Sequence, residues 1–180
     1  MTRIPTIMLV GCLSVLHAVA NPVEIGFFEL GKRVETSFQS GNGSSMRAEC
    51  YVSELTASQL VVSVRIPQEQ QEDALRMILS KVPSSSNLTT YILKVKTVLK
   101  EKGVPIADCR LSQAKGTVIA RDGVTGAESI EFTFLKGREG FSLHFDMAQH
   151  IGGKWVITDG PHGWVTIYGG KQLAEKVELK

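Results

Sequence analysis

Phe141-Ser142-Leu143-His144-Phe145-Asp146-Met147 alternates apolar and polar residues without a break. Successive side chains on a strand point to opposite faces, so Phe141, Leu143, Phe145 and Met147 share one face, and Ser142, His144 and Asp146 share the other. A strand with one buried and one polar face belongs to an antiparallel sheet packed on a core. Similar short runs flank it: Ile106 to Leu111, Thr117 to Ala120, Ile130 to Leu135, Trp155 to Thr158 and Trp164 to Tyr168. Between them stand Asp122-Gly123, Lys136-Gly137, Gly152-Gly153 and Asp159-Gly160, residue pairs suited to tight antiparallel turns. The C-terminal half is therefore predicted to be a meander.

Upstream the period changes. Phe27, Leu30, Val34 and Phe38 repeat at helical spacing, although Gly26 and Gly31 weaken that helix, and Ser40 to Ser45 reads as a flexible loop. From Ala48 to Ile66 alternation returns, with Cys50 and Val52 on one run and Leu60, Val62, Val64 and Ile66 on a second. The polar residues Thr56 to Gln59 between them suggest a hairpin. Pro67 opens a helix carrying Leu75, Ile78, Leu79 and Val82, with Glu69, Glu72 and Asp73 near its N-terminus where the macrodipole favours anions. After the break at Pro83 to Ser86, Asn87 is placed to cap a helix with the face Leu88, Tyr91, Ile92, Val95, Val98 and Leu99. That helix ends at Lys100, Lys102 and Gly103. The fold class expected is α+β: a two-layer sandwich whose antiparallel sheet, early hairpin plus C-terminal meander, packs against two or three helices.

The first twenty residues have a different character. Met1-Thr2-Arg3 is a short basic start, Ile4 to Val19 is an apolar run, and Ala18-Val19-Ala20 is a small-x-small site before Asn21-Pro22, the three parts of an export signal. Expected boundaries are a signal at 1–20, one domain at 21–170 and a tail at 171–180, read as a frayed helical turn. A membrane anchor is the alternative, but the run is at the short limit for a span, and Ser14 and His17 interrupt it. Leu9-Val10-Gly11-Cys12 also resembles the lipobox of bacterial lipoproteins, which would tether the chain through Cys12.

Without its signal the 180-residue chain has room for one domain with a real core, given 43% apolar residues. A net charge of +2 gives no basic excess for nucleic acid, which is not an expected partner. Removal of Cys12 leaves Cys50 and Cys109, and an even pair in an oxidising compartment reads as a disulfide, with two buried thiols as the alternative. Asn42-Gly43-Ser44 and Asn87-Leu88-Thr89 are glycosylation sequons only in a host that glycosylates exported proteins. No phosphate loop, zinc-finger spacing or nucleophile elbow appears.

His144, His150 and His162 lie within nineteen residues, with Asp146 and Asp159 among them. His144 and Asp146 on one strand face suit a divalent metal with His150 or His162 as a further ligand, or a general base oriented by an acid. The plainer expectation is a solvated strand face and a turn histidine, with no cofactor. Trp155 shares its face with Ile157 and belongs in the core. Trp164 and Tyr168, whose face also carries Thr166, are the candidate contact surface for a peptide or glycan. Arg76, Lys81, Lys94, Lys96, Lys100 and Lys102 tint the helices basic, but Glu72, Asp73 and Glu101 among them make this a solvated face.

Gly153-Lys154-Trp155-Val156-Ile157-Thr158-Asp159 resembles the closing strand of nuclear transport factor 2-like domains, where a Gly-Lys-Trp tripeptide enters a final sheet strand. That family opens with helices and ends soon after this strand, whereas here a hairpin is expected early and Gly163 to Tyr168 follows. The resemblance implies no pocket or functional residue for this chain.

The function expected is an exported binding or interaction module, periplasmic or secreted: an inhibitor, an accessory subunit or a small-ligand carrier, without catalysis. Its partner would be a protein or small molecule outside the cytoplasm, with membrane contact only through Cys12 or an uncleaved signal. Two alternatives from other classes are a metal-dependent or acid–base hydrolase using His144, Asp146, His150 and His162, and an anchored structural component of the envelope.

Overall fold

The computed structural model describes residues 22–121, 123–169 and 174–179. The expected signal, including Cys12, lies outside them. Five helices precede the sheet: α1 (Pro22–Ser40), α2 (Gly43–Cys50), α3 (Glu54–Ser63), α4 (Gln68–Ser80) and α5 (Ser85–Glu101). A 3-10 turn, Ile106–Asp108, leads into β1 (Arg110–Arg121), β2 (Val124–Lys136), β3 (Glu139–Ile151), β4 (Lys154–Asp159), β5 (Trp164–Tyr168) and β6 (Glu175–Glu178). The sheet is antiparallel in the order β1-β2-β3-β5-β6, with β4 branching from β3. The chain is thus an α+β sandwich, as the two sequence periods require. No helix among the described residues is long and apolar enough to cross a membrane.

The helical stripe of α1 is its core face: Phe27, Leu30, Val34 and Phe38 are all buried. Phe27 meets Trp155 edge-on at 5.2 Å, and Phe38 lies 5.3 Å from Phe141. The two glycines that lower its helix propensity are where it rests on the sheet. A Cβ on Gly26 would stand 3.2 Å from the Trp155 ring, and one on Gly31 would stand 2.7 Å from Leu111. Their cost in propensity, about 1 kcal/mol each, is the condition for close contact between helix and sheet. On α5 the anticipated face is also core, with Leu88, Tyr91, Ile92, Val95 and Leu99 buried. Its N-cap is Ser84, whose side chain accepts from the Asn87 backbone N–H, rather than Asn87.

The early hairpin is not formed, and residues 43–63 are mostly helical. Asn42 caps α2 by accepting from the Ser44 and Ser45 amides at 2.9 and 3.2 Å, so Ser40 to Ser45 is a helix junction rather than a flexible loop. Ser53 caps α3 by accepting from Thr56 N at 3.2 Å. Within α3, Ala57, Leu60 and Val61 are buried while Val62 is 63% exposed, the i, i+3, i+4 pattern of a helix. The apparent alternation of Leu60 with Val62 and Val64 carried no burial meaning. Arg65, with φ of 56°, turns the chain after α3. Extended structure survives here only at Tyr51, which bridges Ile157 of β4.

Three further expectations change. Thr117 to Ala120 is part of the long strand β1, while Ile106 to Asp108 is the 3-10 turn rather than strand. In the supposed tail, Glu175–Glu178 forms β6 against β5. As the run Gly163 to Tyr168 already implies, the Gly-Lys-Trp stretch forms β4 and is not the last strand. Cys50 and Cys109 are both buried free thiols, not a disulfide. Cys50 ends α2 beside Arg33 and Ser37, whereas Cys109 follows the 3-10 turn beside Asp108 and Lys136. Cysteine count gave no information about these separate surroundings.

Candidate functional site

The site is set by a fork in β3. Residues Gly140 to Leu143 pair with β5, and residues Met147 to Ile151 pair with β4. At His144, Phe145 and Asp146 the strand changes partners, and the β4–β5 connection crosses there. His162 N donates to the His144 carbonyl at 2.9 Å. Gly160 makes the approach possible: its φ is +99°, and a Cβ there would stand 2.9 Å from Asp146 N. Tyr51 Oη donates to the Gly160 carbonyl at 3.1 Å, holding the crossing to the helical layer.

Alternation along β3 holds through this region. Phe141, Leu143 and Phe145 are buried inward, while His144 is half-buried and Asp146 exposed on the outer face. Trp164, Thr166 and Tyr168 share that outer face on β5, with Val165 and Ile167 turned inward. His144 stacks on Trp164 with ring centroids 3.9 Å apart and planes 29° apart. Lys176 of β6 places its ammonium 4.3 Å from the Trp164 ring centroid. Because β5 lies between β3 and β6, the indole is flanked on both sides. His144 Nε2 is 3.0 Å from Thr166 Oγ1, which fixes the imidazole from a third direction.

Next to this stack lies a carboxylate network that strand parity alone did not single out. Glu131, opposite His144 on β2, has its Oε1 2.7 Å from Ser142 Oγ, 2.8 Å from Tyr168 Oη and 3.3 Å from Thr133 Oγ1. Thr133 Oγ1 and Ser142 Oγ are also 2.8 Å apart. The protons balance when Ser142 and Tyr168 donate to Glu131 and Thr133 donates to Ser142. Burial is the largest influence on Glu131 and opposes its charge. The donated bonds of Ser142 and Tyr168, helped by His144 and Lys115, outweigh it and keep the carboxyl below its ordinary range. Burial holds the His144 imidazole below the usual histidine range, and His162 and Lys176 reinforce this against the pull of Glu131. At neutral pH the face therefore carries an ionised Glu131 beside a neutral His144.

The four candidate metal ligands do not converge. Asp146 pairs with His162, Nε2 to Oδ1 at 3.2 Å, rather than with its strand neighbour His144. His162 lies 5.4 Å from the Trp164 ring, so the indole stands among both imidazoles. His150 is elsewhere, opposite Trp155 and 5.5 Å from that ring. Among the described residues no three histidine, cysteine or acidic side chains are grouped as a metal site. His144, Asp146, His162, Trp164 and Tyr168 are brought into one region, and His150 is not.

Chemically, the arrangement is a prearranged surface. Ser142 is fully buried and already shares its hydroxyl with Glu131 and Tyr168, so it is no accessible nucleophile. Thr166 lies within β5, its hydroxyl 3.0 Å from the His144 imidazole. The face presents two aromatic rings, two imidazoles, an ammonium and two carboxylates. No protein-family model, curated protein or solved structure matches the chain.

Proposed function

We propose that this chain is an exported binding module without catalysis of its own, whose contact surface is the outer sheet face around Trp164 and Tyr168. The observation that carries this reading is that the half-buried side chains of that face are held by one another. Fixing Trp164 between His144 and Lys176, and Tyr168 against Glu131, removes rotamer freedom before any partner arrives. Preorganised aromatic and charged groups lose less entropy on association, which favours them as anchors.

A protein partner suits this surface better than a small ligand held between the layers. The interior is filled by Phe38, Phe132, Phe134, Phe141, Phe145 and Trp155, all at most 2% exposed. Close packing of these rings supports the inhibitor and accessory-subunit versions over a carrier of a small ligand. Opposite charges across the patch, Lys176 against Glu131 and Asp146, favour a partner with complementary charges of both signs.

The test has two parts. Expression with the native first twenty residues should yield a mature chain whose mass begins at Asn21; retention of Met1 or a lipid on Cys12 would replace export as a soluble module with anchoring. Immobilised mature protein should then retain a discrete protein from the host's exported fraction, and Trp164→Ala should release it. Equal retention by the Trp164→Ala protein would refute this contact surface.

A further inference from the structure

The helix α4 carries the apolar stripe Leu75, Ile78 and Leu79, yet none of its residues is fully buried. Between α4 and the part of the sheet where β3 pairs with β4 lies a cleft of about 100 Å³. Leu60 of α3, Met77 and Ile78 of α4 and Met147 of β3 supply its apolar walls. Its polar lining is almost fully spoken for. Lys81 Nζ stands 3.1 Å from Asp159 Oδ2, and Thr158 Oγ1 donates to the Met147 carbonyl at 3.4 Å. Gln149 is the exception, because its Oε1 is buried with no hydrogen-bond partner among the described residues. The register explains this: its cross-strand neighbours, Gly126 on β2 and Val156 on β4, have no side chain that can donate.

We propose that this cleft binds a small neutral phenol, whose hydroxyl donates to Gln149 Oε1 while its ring lies among Leu60, Met77, Ile78 and Met147. The unpartnered acceptor sets the ligand's polar group. A buried oxygen without a donor has lost its water and gained nothing, so a ligand that brings one O–H is favoured over its apolar isostere. The paired ions set the ligand's charge. With Lys81 and Asp159 already joined, a charged ligand would surrender its hydration and find no unpaired countercharge.

Size and wall chemistry select a single ring. An apolar cavity of about 150 Å³ takes benzene, so this smaller cleft admits one ring when α4 shifts slightly outward. That shift is cheap, because a helix without a fully buried residue breaks few contacts on moving. Methionine side chains adapt to irregular gaps and their sulfurs make favourable contacts with aromatic rings. Met77 stands at the rim, 62% exposed, and gains cover from a ring beneath it.

The cleft uses none of the side chains that make the Trp164 face, so the two readings fail separately. The test is fluorine NMR titration of the full mature chain with 4-fluorophenol and with 4-fluorotoluene, which has a methyl group in place of the hydroxyl. The phenol should bind saturably and about fivefold more tightly than the toluene. Gln149→Met, which keeps the length of the side chain and removes the acceptor, should abolish that preference while the toluene still binds. Retained toluene binding shows that the variant is folded, and its thermal midpoint should not fall, since an unpartnered buried oxygen has been removed. Trp164→Ala should leave both affinities unchanged. The proposal is overturned by the absence of saturable phenol binding, by equal affinity for the two probes in the unaltered protein, by the same preference persisting in Gln149→Met, or by loss of binding in Trp164→Ala.

Discussion

His144 and Trp164 stack at 3.9 Å across the β3–β5 pairing, with Lys176 on the other flank of the indole. The imidazole therefore occupies a place where a positive charge is partly desolvated and meets another cation. Burial is the main cause of its lowered pKa.

The pH dependence follows from that direction. The unfolded chain takes up a proton at His144 near the ordinary histidine pKa of about 6.5, and the folded chain does so only at lower pH. Between these values the unfolded state binds more protons, so stability is fully present above the unfolded pKa and falls as pH drops through the folded one. Glu131 adds a second loss at lower pH, since its folded pKa is also depressed. Urea unfolding from pH 8 to 4 should show falling stability below about 6.5, with a shallower slope in His144→Gln. An identical slope in that variant would remove His144 from the account.

Both cysteines should be silent in the native protein. Cys50 is fully buried and its thiol is pushed up to about 11 by burial, which leaves almost no thiolate at neutral pH. Cys109 is buried and shifted in the same direction for the same chief reason. A thiol reagent should label neither residue in the folded chain, and both after unfolding without reductant. Absence of label in the unfolded, unreduced protein would demonstrate a disulfide.

Gly43 is the contact point of α2 with α5. A Cβ there would stand 2.3 Å from Ser85 O and 2.4 Å from Thr89 N, both backbone atoms that cannot swing aside. Gly43→Ala should destabilise the chain by about 1–3 kcal/mol in denaturant unfolding. Gly163→Ala, with nothing within 4 Å, should change little and serves as the control.

Arg33 ties three elements together. From α1 its guanidinium donates to Glu49 O near the end of α2 and to Trp155 O of β4, the latter at 2.6 Å. A lysine has one donor centre and cannot bridge both carbonyls with the planar geometry of arginine. Arg33→Lys should cost about 2 kcal/mol of stability, and the loss should appear in thermal unfolding with the net charge unchanged.

Where local period and tertiary burial agree, the fold is legible in the sequence. The stripes of α1 and α5, and the alternation of β3 and β5, were fixed by such agreement. It failed at Leu60, Val62 and Val64, where Val61 breaks the alternation and the helix buries Leu60 with Val61 while leaving Val62 exposed. There the decisive signals were local caps, Asn42 before α2 and Ser53 before α3, each a side-chain acceptor ahead of a helix. The site was half legible. Parity placed His144 with Asp146 and Trp164 with Tyr168. The pairing of Asp146 with His162, and the meeting of Glu131 with Tyr168, depend on register between strands far apart in sequence. The run Ile130-Glu131-Phe132-Thr133 does mark Glu131 and Thr133 as outer residues, but nothing local says what stands opposite them.

The central claim is that the outer face at the β3 fork meets a partner, and photo-crosslinking tests it most directly. A benzophenone amino acid placed at Tyr168, and separately at the exposed Val118 of β1 as control, would be irradiated in the native exported fraction. The account predicts one discrete adduct from position 168, abolished by Trp164→Ala, and none from position 118. No adduct at 168, or the same adducts from both positions, would contradict it.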